Sequence, residues 1–351
     1  MSAMRILLAR VTILLWRTIG HWALRLRFPR DFSHIRVLLG LESPAQKAAY
    51  STLSQDRDWR RHEKSGRVLA IIPFRDKWSL TSSCLRSLFS QDMDGMALHV
   101  ALVDNGSVLG ETRRGIAGVL SDLRPQGVTL QYLRYDIPFN YSRLNNLAVA
   151  DCSSFGAKHV VFLNNDVDLK YPGTLLEMAG FLNATSGAGS VGCTLLYPSG
   201  RIQHLYIAVG CKIVGAHPFK GACFDAADPW ILSPRPVGAA TAALLMVPQD
   251  LFLKVGGFDE RLPSCYQDVD LALKFQKEGR VNWVLPWITA IHHETQTRDP
   301  VHSWAEVRLM HDRWGTHLVD NPYNPDKLSR WSEPLAMALG EGAFPWHWLM
   351  P

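Results

Sequence analysis

One stretch of the chain, Val160 to Asp168, joins an apolar run to a cluster of polar oxygen atoms. Its first four residues, Val-Val-Phe-Leu, do not alternate with polar residues, which is typical of a strand covered on both faces. Two amides and two carboxylates follow at once, at Asn164, Asn165, Asp166 and Asp168. In open α/β sheets ligands bind beyond the carboxyl ends of the strands, and hard cations prefer oxygen ligands. The stretch therefore predicts either a divalent metal that holds a diphosphate or, more simply, a polar turn that caps the next helix.

The rest of the chain between residues 67 and 300 alternates strand patterns with helix patterns. This alternation predicts an α/β fold with a mixed, mostly parallel sheet flanked by helices. The predicted strands are Val68–Ile72, His99–Val103, Val128–Leu133, Val160–Leu163, Val191–Tyr197, Ile202–Val209, Ala243–Val247, Val281–Val284 and Ile288–Ile291. The predicted helices lie at 80–88, 142–150, from about Pro172, at 267–278 and at 304–314.

Composition indicates a globular protein with one locally basic end. The 351 residues are 47% hydrophobic and 20% charged, with a formal net charge of +5. Residues 1–36 contain seven arginines and one aspartate, so they carry +6 and the remainder sums to −1. Because the positive charge is local, we expect no nucleic-acid-binding surface. The six cysteines form no C-x-x-C pair, which favours free thiols in a reducing compartment and no structural zinc.

Residues 1–30 predict a basic amphipathic helix. The longest uncharged run, Thr18 to Leu24, is seven residues and far too short to span a bilayer. Apolar side chains recur at steps of three and four, at Leu8, Val11, Leu15, Ile19, Trp22 and Leu26. With arginines on the other side, the pattern is typical of a helix lying on an anionic membrane surface. A helix docked on the protein's own core has the same pattern, and a signal peptide is a third interpretation.

The remaining domain boundaries follow from changes in amino-acid composition along the chain. Residues 31–66 are charged and mixed, and we expect a connector with one helix from Pro44 to Arg61. Residues 67–300 form the main domain, in which 212–236 are rich in Gly and Pro and predict a long loop. Residues 301–351 begin as a helix and become rich in Pro, Trp and Asn, which predicts a helical and irregular appendage.

Two other predicted strands end in carboxylates. Asp76 and Asp104 close the first and second strands, so they lie on one edge with Asp166 if the strands are parallel neighbours. An aspartate there can accept a hydrogen bond from the N3–H of uracil or thymine. The alternative at 104–107 is a β-turn, because Asp-Asn-Gly-Ser is good turn chemistry by itself.

A helix start and a late strand end supply further candidates. Asp268 and Asp270 are two residues apart on a helix and cannot both face one ligand. One can act as a general base while the other caps the helix, or both can be ordinary caps. His292 and His293 follow a short strand, where an imidazole either completes an oxygen-ligated manganese site or serves only in hydrogen bonding.

Motifs of several other enzyme classes are absent. The chain contains no G-x-G-x-x-G, G-x-x-x-x-G-K-[ST] or G-x-S-x-G, so dehydrogenase, P-loop kinase and hydrolase interpretations have no support. His293-Glu294 is half of a zinc-hydrolase motif, but Thr297 stands where that motif requires His.

Eight motifs, in order along the chain, resemble the family-2 inverting glycosyltransferases and their single GT-A domain. They are Ile-Ile-Pro-Phe-Arg-Asp (71–76), Asp-Asn-Gly-Ser (104–107), Phe-Asn-Tyr-Ser-Arg-Leu-Asn-Asn-Leu-Ala (139–148), Phe-Leu-Asn-Asn-Asp (162–166), Gly-Arg-Ile-Gln-His (200–204), Gly-Gly-Phe-Asp-Glu (256–260), Gln-Asp-Val-Asp-Leu (267–271) and His-His-Glu-Thr-Gln-Thr-Arg (292–298). With Asn-Pro-Tyr-Asn-Pro (321–325), the Ile-Gln-His and His-His-Glu variants look most like bacterial rhamnosyltransferase-type enzymes of O-antigen and capsule synthesis.

The resemblance implies a role for each matching residue. Asp268 would be the catalytic base, and Asp166 would hold Mg²⁺ or Mn²⁺ with His292 as a further ligand. The nucleotide would be bound by Pro73, Arg75, Asp76, Asp104, Asn146, Asn164 and Asn165, with Asp104 on the base. The donor sugar or the acceptor would lie near His204, Gly238, Ala239 and Asp270.

The resemblance also implies substrates and a location. The donor would be dTDP-rhamnose or a UDP-sugar, and the acceptor a glycan or polyprenyl-linked glycan. The enzyme would lie in the cytoplasm, peripheral on the inner face of the bacterial cytoplasmic membrane, through its N-terminal helix.

Two departures from the family pattern affect the site. Asn164 replaces the first acid of the D-x-D element, so we expect metal to bind only together with the nucleotide. Gln267 replaces an acid found in many members, which predicts a lower pKa for Asp268 through reduced like-charge repulsion. The same departures motivate an alternative function, a non-catalytic GT-A scaffold in a polysaccharide-assembly complex.

Overall fold

The computed structural model describes residues 3–30, 35–51, 53, 66–122, 125–293, 303–340 and 342–348. Within these residues the chain forms nine α-helices. They are α1 (Ala3–Arg27), α2 (Pro44–Ser51), α3 (Trp78–Phe89), α4 (Gly110–Ser121), α5 (Tyr141–Asp151), α6 (Thr174–Ala184), α7 (Gln249–Lys254), α8 (Gln267–Lys277) and α9 (Trp304–Val319).

Twelve strands lie in the same described residues. They are β1 (Gly66–Phe74), β2 (Met96–Asp104), β3 (Val128–Arg134), β4 (His159–Leu163), β5 (Val167–Leu169), β6 (Ala188–Leu196), β7 (Ile202–His204), β8 (Ala208–Val209), β9 (Gly215–Ala216), β10 (Arg235–Val237), β11 (Leu244–Pro248) and β12 (Val281–His292). Ten of them form one sheet in the order β10-β12-β6-β11-β4-β1-β2-β3, with β5 beside β12 and β7 beside β6.

The sheet is mixed, and its longest ladders are parallel. β1 pairs in parallel with β2 and with β4, β2 with β3, and β6 with β12. β11 runs antiparallel between β4 and β6 and joins the two parallel parts. The predicted α/β architecture, a mostly parallel mixed sheet flanked by helices, is confirmed.

Helices cover both faces of the sheet, which explains why its central strands read as unbroken apolar runs. Alternate residues of β1 enter opposite cores because successive side chains of a strand point to opposite faces. Ile72 packs in a core with Leu85 of α3, whereas Ile71 packs in another with Leu144 of α5. Each such buried side chain contributes about 2 kcal/mol.

Some predicted elements differ from those in the structure. Val281–His292 is one strand with a register shift between Leu285 and Thr289, where two short strands were expected. Pro286 lies in the shift, which a missing N–H permits. The predicted strand 202–209 is two strands, and the predicted loop 212–236 contains β9 and the start of β10. The helix from Pro44 ends at Ser51, and residues 54–61 lie outside the described part.

The N-terminal helix α1 docks through a face different from the predicted apolar stripe. Trp16 lies edge-on to Trp331, with ring centroids 5.6 Å apart, and Leu24 is fully buried. At Gly20 a Cβ would lie 2.5 Å from the Met337 carbonyl oxygen, so only glycine allows this approach.

The predicted stripe of α1 faces away from the protein. Val11 is 45%, Trp22 62% and Leu26 77% exposed. Among the described residues, none of the helices combines the length and apolar character needed to span a bilayer.

Candidate active site

The register of the central strands brings the three key aspartates to one edge of the sheet. Phe74 at the end of β1 lies beside Asp104, and Ile71 lies beside Phe162 of β4, so Asn165 is level with Phe74. On the other side of β4, the Asn164 N–H donates to the Ala243 carbonyl at 2.9 Å. Asp268 reaches the same edge, because its carboxylate accepts from the N–H of the neighbouring Ala242 at 3.4 Å.

Asp166 is a buried carboxylate paired with an imidazole. His292 Nε2 lies 3.3 Å from Asp166 Oδ1, and the His293 N–H donates to the Asp166 carbonyl oxygen at 3.0 Å. His293 pairs instead with Asp168, at 3.1 Å. The distances therefore pair His292, and not His293, with Asp166.

The side chain of Gln203 lies within hydrogen-bond distance of Nδ1, the second ring nitrogen of His292. Its Oε1 lies 2.6 Å from His292 Nδ1, and a proton on Nδ1 completes a hydrogen bond between them. In the tautomer that carries this proton, the Nε2 lone pair faces Asp166 Oδ1, so the two atoms can act as ligands of one cation. A metal-binding imidazole fixed by an acceptor on its other nitrogen is a common arrangement.

Asp268 is a half-buried carboxylate at the start of α8. The N–H groups of Val269 and Ala242 donate to it, and Thr241 also bonds to it. Burial raises the pKa of Asp268, and these hydrogen bonds lower it only in part. The expected low pKa is thus corrected: without an acid at 267, loss of hydration is still the largest effect on this group.

Asp270 faces away from this edge. It is fully buried, and it contacts Arg313 and Trp314 of α9 and Lys274 of its own helix. The predicted contact of Asp270 with the sugar or acceptor is corrected, because its carboxylate instead joins α8 to α9.

Asp104 is saturated by donors of the protein. Oδ1 accepts from the Ser107 N–H at 2.7 Å, and Oδ2 accepts from the Tyr132 hydroxyl at 2.7 Å and from Arg134 at 3.0 Å. Its side chain has no exposed surface. This geometry does not favour the predicted contact of Asp104 with the base. Instead, the carboxylate stabilises the turn at 104–107. Asn105 Oδ1, by contrast, is buried and has no hydrogen-bond partner among the residues that the structure describes.

Asp76 and Asn146, two other predicted nucleotide ligands, form hydrogen bonds to the backbone of neighbouring loops. Asp76 Oδ1 accepts from the N–H groups of Val108 and Leu109, at 3.1 and 2.9 Å, and so caps the start of α4. The Asn146 amide bonds to both the N–H and the carbonyl of Phe258, at 3.0 and 2.9 Å. Both side chains thus anchor loops, and their contact with a nucleotide stays a prediction.

The remaining predicted nucleotide ligands lie at the edge itself. Pro73 is buried within β1, and Arg75 is exposed just beyond it. Asn164 and Asn165 are half-buried, and Asn165 donates to the Thr81 hydroxyl at 3.0 Å. Arg75 thus adds a positive charge to this edge.

The predicted sugar or acceptor residues are mostly buried behind the edge. Ala239 is fully buried, and the Gly238 carbonyl accepts from Gln276 at 2.8 Å. These two predictions are corrected, and Thr241 is the half-buried residue of this segment. His204 is buried, accepts from the Thr241 N–H at 3.2 Å and lies 2.9 Å from His217. Burial, together with His217 and His292, holds the pKa of His204 well below its usual value.

Sequence reasoning missed Gln203 as a site residue, whereas Thr241 belongs to the segment 238–241 that was expected near the sugar or the acceptor. Gln203 is part of the recognised Ile-Gln-His motif, so its neighbour His204 was chosen although Gln203 is the residue that contacts His292. Thr241 adjoins the predicted pair Gly238 and Ala239, and only the position of Asp268 reveals its contact. Residues 294–298 of the His-His-Glu motif lie outside the described part.

The donors present suit a metal that the protein holds only partly. Among the described residues, no group of three or more His, Cys, Asp or Glu side chains is arranged so that it could hold a metal ion. Asp166 Oδ1 and His292 Nε2 are 3.3 Å apart, close to the separation of about 3 Å between adjacent ligands of an octahedral ion with bonds near 2.1 Å. One oxygen and one nitrogen therefore fit two adjacent positions of such an ion.

Sequence comparison finds three bacterial relatives, two of which are named for O-antigen biosynthesis or rhamnosyl transfer. A Sinorhizobium fredii protein named uncharacterized protein y4gI is 35% identical over 274 residues, 74% of this chain and 29% of its own length. The Myxococcus xanthus O-antigen biosynthesis protein RfbC is 31% identical over 73% of this chain and 19% of its own. The Mycobacterium tuberculosis N-acetylglucosaminyl-diphospho-decaprenol L-rhamnosyltransferase is 28% identical over 57% of this chain and 69% of its own. The chain thus spans less than a third of the first two relatives. No profile of a protein family matches.

Structural comparison identifies the fold. The crystal structure of GalNAc-T7 with UDP, GalNAc and Mn²⁺ superposes with a TM-score of 0.56 at 10% identity, over 74% of this chain and 50% of the other. That similarity shows the fold and confirms the GT-A architecture predicted from the motifs. In sequence the chain is similar to an O-antigen biosynthesis protein and to an L-rhamnosyltransferase, and its fold is GT-A.

Proposed function

We propose that this protein transfers a sugar from a nucleotide donor to a hydroxyl of a glycan acceptor with inversion of configuration. One observation carries the proposal: the half-buried carboxylate of Asp268 lies at the same sheet edge as the Asp166–His292 pair. A base and a metal-binding pair on one edge are what in-line displacement at an anomeric carbon requires.

Asp268 is proposed as the general base. Burial raises its pKa, which makes it a better proton acceptor than an ordinary aspartate. The N–H groups of Val269 and Ala242 hold the carboxylate in place. It takes the proton of the acceptor hydroxyl while that oxygen bonds to the anomeric carbon and the nucleoside diphosphate leaves.

Asp166 and His292 are proposed to hold Mg²⁺ or Mn²⁺. A bound divalent ion would neutralise the negative charge that develops on the departing diphosphate. Since the protein offers two ligands, diphosphate oxygens are expected to supply others, in agreement with the expectation that metal and nucleotide bind together. Asn164 and Asn165 flank the same edge with neutral amides.

The nucleotide is proposed to lie along the ends of β1 and β2. Exposed Arg75 is a cation within reach of that edge, and the orphaned Asn105 Oδ1 is an acceptor that a base N–H would satisfy. We propose dTDP-rhamnose as the donor, with UDP-sugars as the alternative, and this choice rests on the names of the relatives and on the motifs.

The acceptor is proposed to be a lipid-linked glycan at the inner surface of the cytoplasmic membrane. The exposed apolar stripe of α1, with Trp22 62% and Leu26 77% exposed, would lie in the membrane interface. The arginines of the same segment would face anionic headgroups.

The test combines nucleotide binding with turnover. The purified chain is warmed with dTDP, UDP or GDP, with and without Mn²⁺, and release of nucleoside diphosphate from the matching sugar donors is measured. We expect dTDP or UDP to raise the Tm only when Mn²⁺ is present, and the same nucleotide's sugar donor to be consumed.

Two results would contradict the proposal. If no nucleoside diphosphate changes the Tm, the edge is not a nucleotide site. If nucleotides bind but no donor is consumed with or without acceptor, the non-catalytic scaffold is the better interpretation.

A further inference from the structure

A groove of about 400 Å³ lies between α1 and the body of the protein, away from the three aspartates of the sheet edge. Its walls are mostly apolar: α1 contributes Ile6, Ile13 and Leu14, and the body contributes Ile213 and Trp304. This volume is typical of a pocket for one small molecule or one chain.

Two arginines of α1 complete the lining. Arg10 and Arg17 are exposed and line the groove, and within the described residues neither has an ion-pair or hydrogen-bond partner. They are seven residues apart, about 10 Å along the helix axis, so two long side chains can meet at one anion between them. An apolar groove with two unpaired guanidinium groups matches an amphiphile with an anionic head.

The groove lies beside the exposed stripe of α1. At 100° per residue, Arg10 and Arg17 fall between the docked face that contains Gly20 and the exposed stripe that contains Val11, with exposed Leu14 linking the arginines to the stripe. A lipid tail can therefore pass from the exposed stripe into the groove without crossing the docked face.

The body wall of the groove is part of the packing that holds the proposed base. Ile213 and Trp304 pack on a cluster that contains Val269, the residue after Asp268, and on which Tyr266 also packs. The groove and the start of α8 thus share one rigid support.

We propose that this groove binds the phosphate and the first isoprenoid units of a polyprenyl-phosphate lipid, the carrier of the acceptor glycan. Arg10 and Arg17 bind the phosphate, and the apolar walls enclose the branched chain. The choice of a polyprenyl carrier, and its role in presenting the acceptor, rest on the proposed function, whereas a site for a single-chain lipid phosphate rests on the groove alone. The groove has room for a single chain and not for a patch of bilayer.

The test measures binding of farnesyl phosphate to the full-length chain by calorimetry, below its critical micelle concentration and without nucleotide or metal. Arg10→Gln/Arg17→Gln should weaken binding about tenfold or more, because two charge-assisted hydrogen bonds are lost. Leu14→Ser should weaken it to a smaller degree. Arg27→Gln/Arg30→Gln removes the same charge at the far end of the same segment and should leave affinity within about twofold.

Comparison ligands separate the possible sources of binding. Farnesol and inorganic phosphate should each bind much more weakly than farnesyl phosphate, since each has only half of the recognised chemistry. Equal affinity of the Arg10/Arg17 variant and the parent would overturn the proposal, as would displacement of farnesyl phosphate by phosphatidylglycerol vesicles at equal phosphate concentration.

The outcome is separable from that of the proposed function. A chain that consumes a sugar donor but does not bind farnesyl phosphate refutes the groove alone. A chain that binds farnesyl phosphate through Arg10 and Arg17 but consumes no donor supports the groove and refutes the transferase proposal.

Discussion

Asp104 at the end of β2 and Asp166 just after β4 lie at the same edge of the sheet, and both are buried, but their partners differ. Asp104 accepts hydrogen bonds from the Ser107 N–H, the Tyr132 hydroxyl and the Arg134 guanidinium. Asp166 has one side-chain partner among the described residues, the imidazole of His292. The Asp104 carboxylate is therefore satisfied by the protein, whereas the Asp166 carboxylate still has capacity for a ligand.

The difference shows that a carboxylate at a strand end can serve either structure or chemistry, according to the donors around it. A buried carboxylate with three donors stabilises its loop, because removing it leaves those donors unpaired. A buried carboxylate that faces an imidazole lone pair needs a cation or a proton there. The same contrast separates Asp270, which is bound to α9, from Asp268, which faces the edge.

The largest effect should come from the proposed base. Asp268→Asn should reduce donor turnover about 10³-fold while nucleotide affinity stays within about threefold, because only proton removal is lost. Turnover is followed by nucleoside diphosphate release, and affinity by calorimetry. Asp270→Asn is the matched control: it should lower the Tm but keep the turnover of the folded fraction. Near-normal turnover in the Asp268→Asn variant would refute the assignment.

Loss of Asp166 should act on metal-dependent binding. Asp166→Ala should weaken nucleotide binding in Mn²⁺ by about 10²-fold and leave the weaker binding in EDTA unchanged, since it removes a proposed metal ligand. Asp168→Ala, which removes the carboxylate that pairs with His293 and not with His292, should keep the Mn²⁺ effect. If both variants respond alike to Mn²⁺, the assignment of Asp166 and His292 as ligands is wrong.

Asp104 should show the opposite behaviour, a loss of stability. Asp104→Ala should lower the free energy of unfolding by about 2 kcal/mol, because buried donors lose their acceptor. Asp136→Ala removes the other carboxylate near Arg134, where the pair is exposed at 39% and 68%, and should cost less than about 1 kcal/mol. Urea unfolding measures both. A stable Asp104→Ala variant with abolished nucleotide binding would restore the base contact predicted from the sequence.

Gln203 should matter through the imidazole it orients. Gln203→Leu should weaken Mn²⁺-dependent nucleotide binding about tenfold, since His292 loses the acceptor that fixes its Nδ1–H. Gln203→Glu keeps an acceptor there and should recover most of the binding. Failure of the Gln203→Glu variant to bind better than the Gln203→Leu variant would reduce Gln203 to a packing role.

The smallest effect should be a shift in the pH dependence of activity. Because burial raises the pKa of Asp268, the folded protein holds this proton more tightly than the unfolded chain does. Activity should therefore fall, as pH is lowered, at a higher pH than an ordinary aspartate would give. Above the raised pKa of the folded protein, the ionised carboxylate of Asp268 lowers the free energy of unfolding. This destabilisation disappears as the pH falls through that pKa. A pH profile of kcat/KM with an acid limb at the ordinary value would contradict this.

Several conclusions followed from the sequence alone because they depend on local chemistry. The unbroken apolar runs and their spacing gave the α/β sheet, and eight ordered motifs gave the GT-A fold. The two adjacent histidines were recognised as candidates, but which one lies with Asp166 is seen only from the contacts of the folded chain. The stripe of α1 was also correct as a pattern, although the pattern does not tell which face is docked.

What each site carboxylate does was decided only by the tertiary structure. A motif states that an acid is present, whereas its hydrogen-bond partners come from Tyr132, Arg134, Ala242 or Arg313, which are 26 to 43 residues away along the chain. Asp76, Asp104, Asp270 and Asn146 were therefore assigned to ligands and found in structural contacts. Sequence determines which groups can donate or accept, but saturation of a group depends on long-range packing, and that packing separates the structural acids from those open to a ligand.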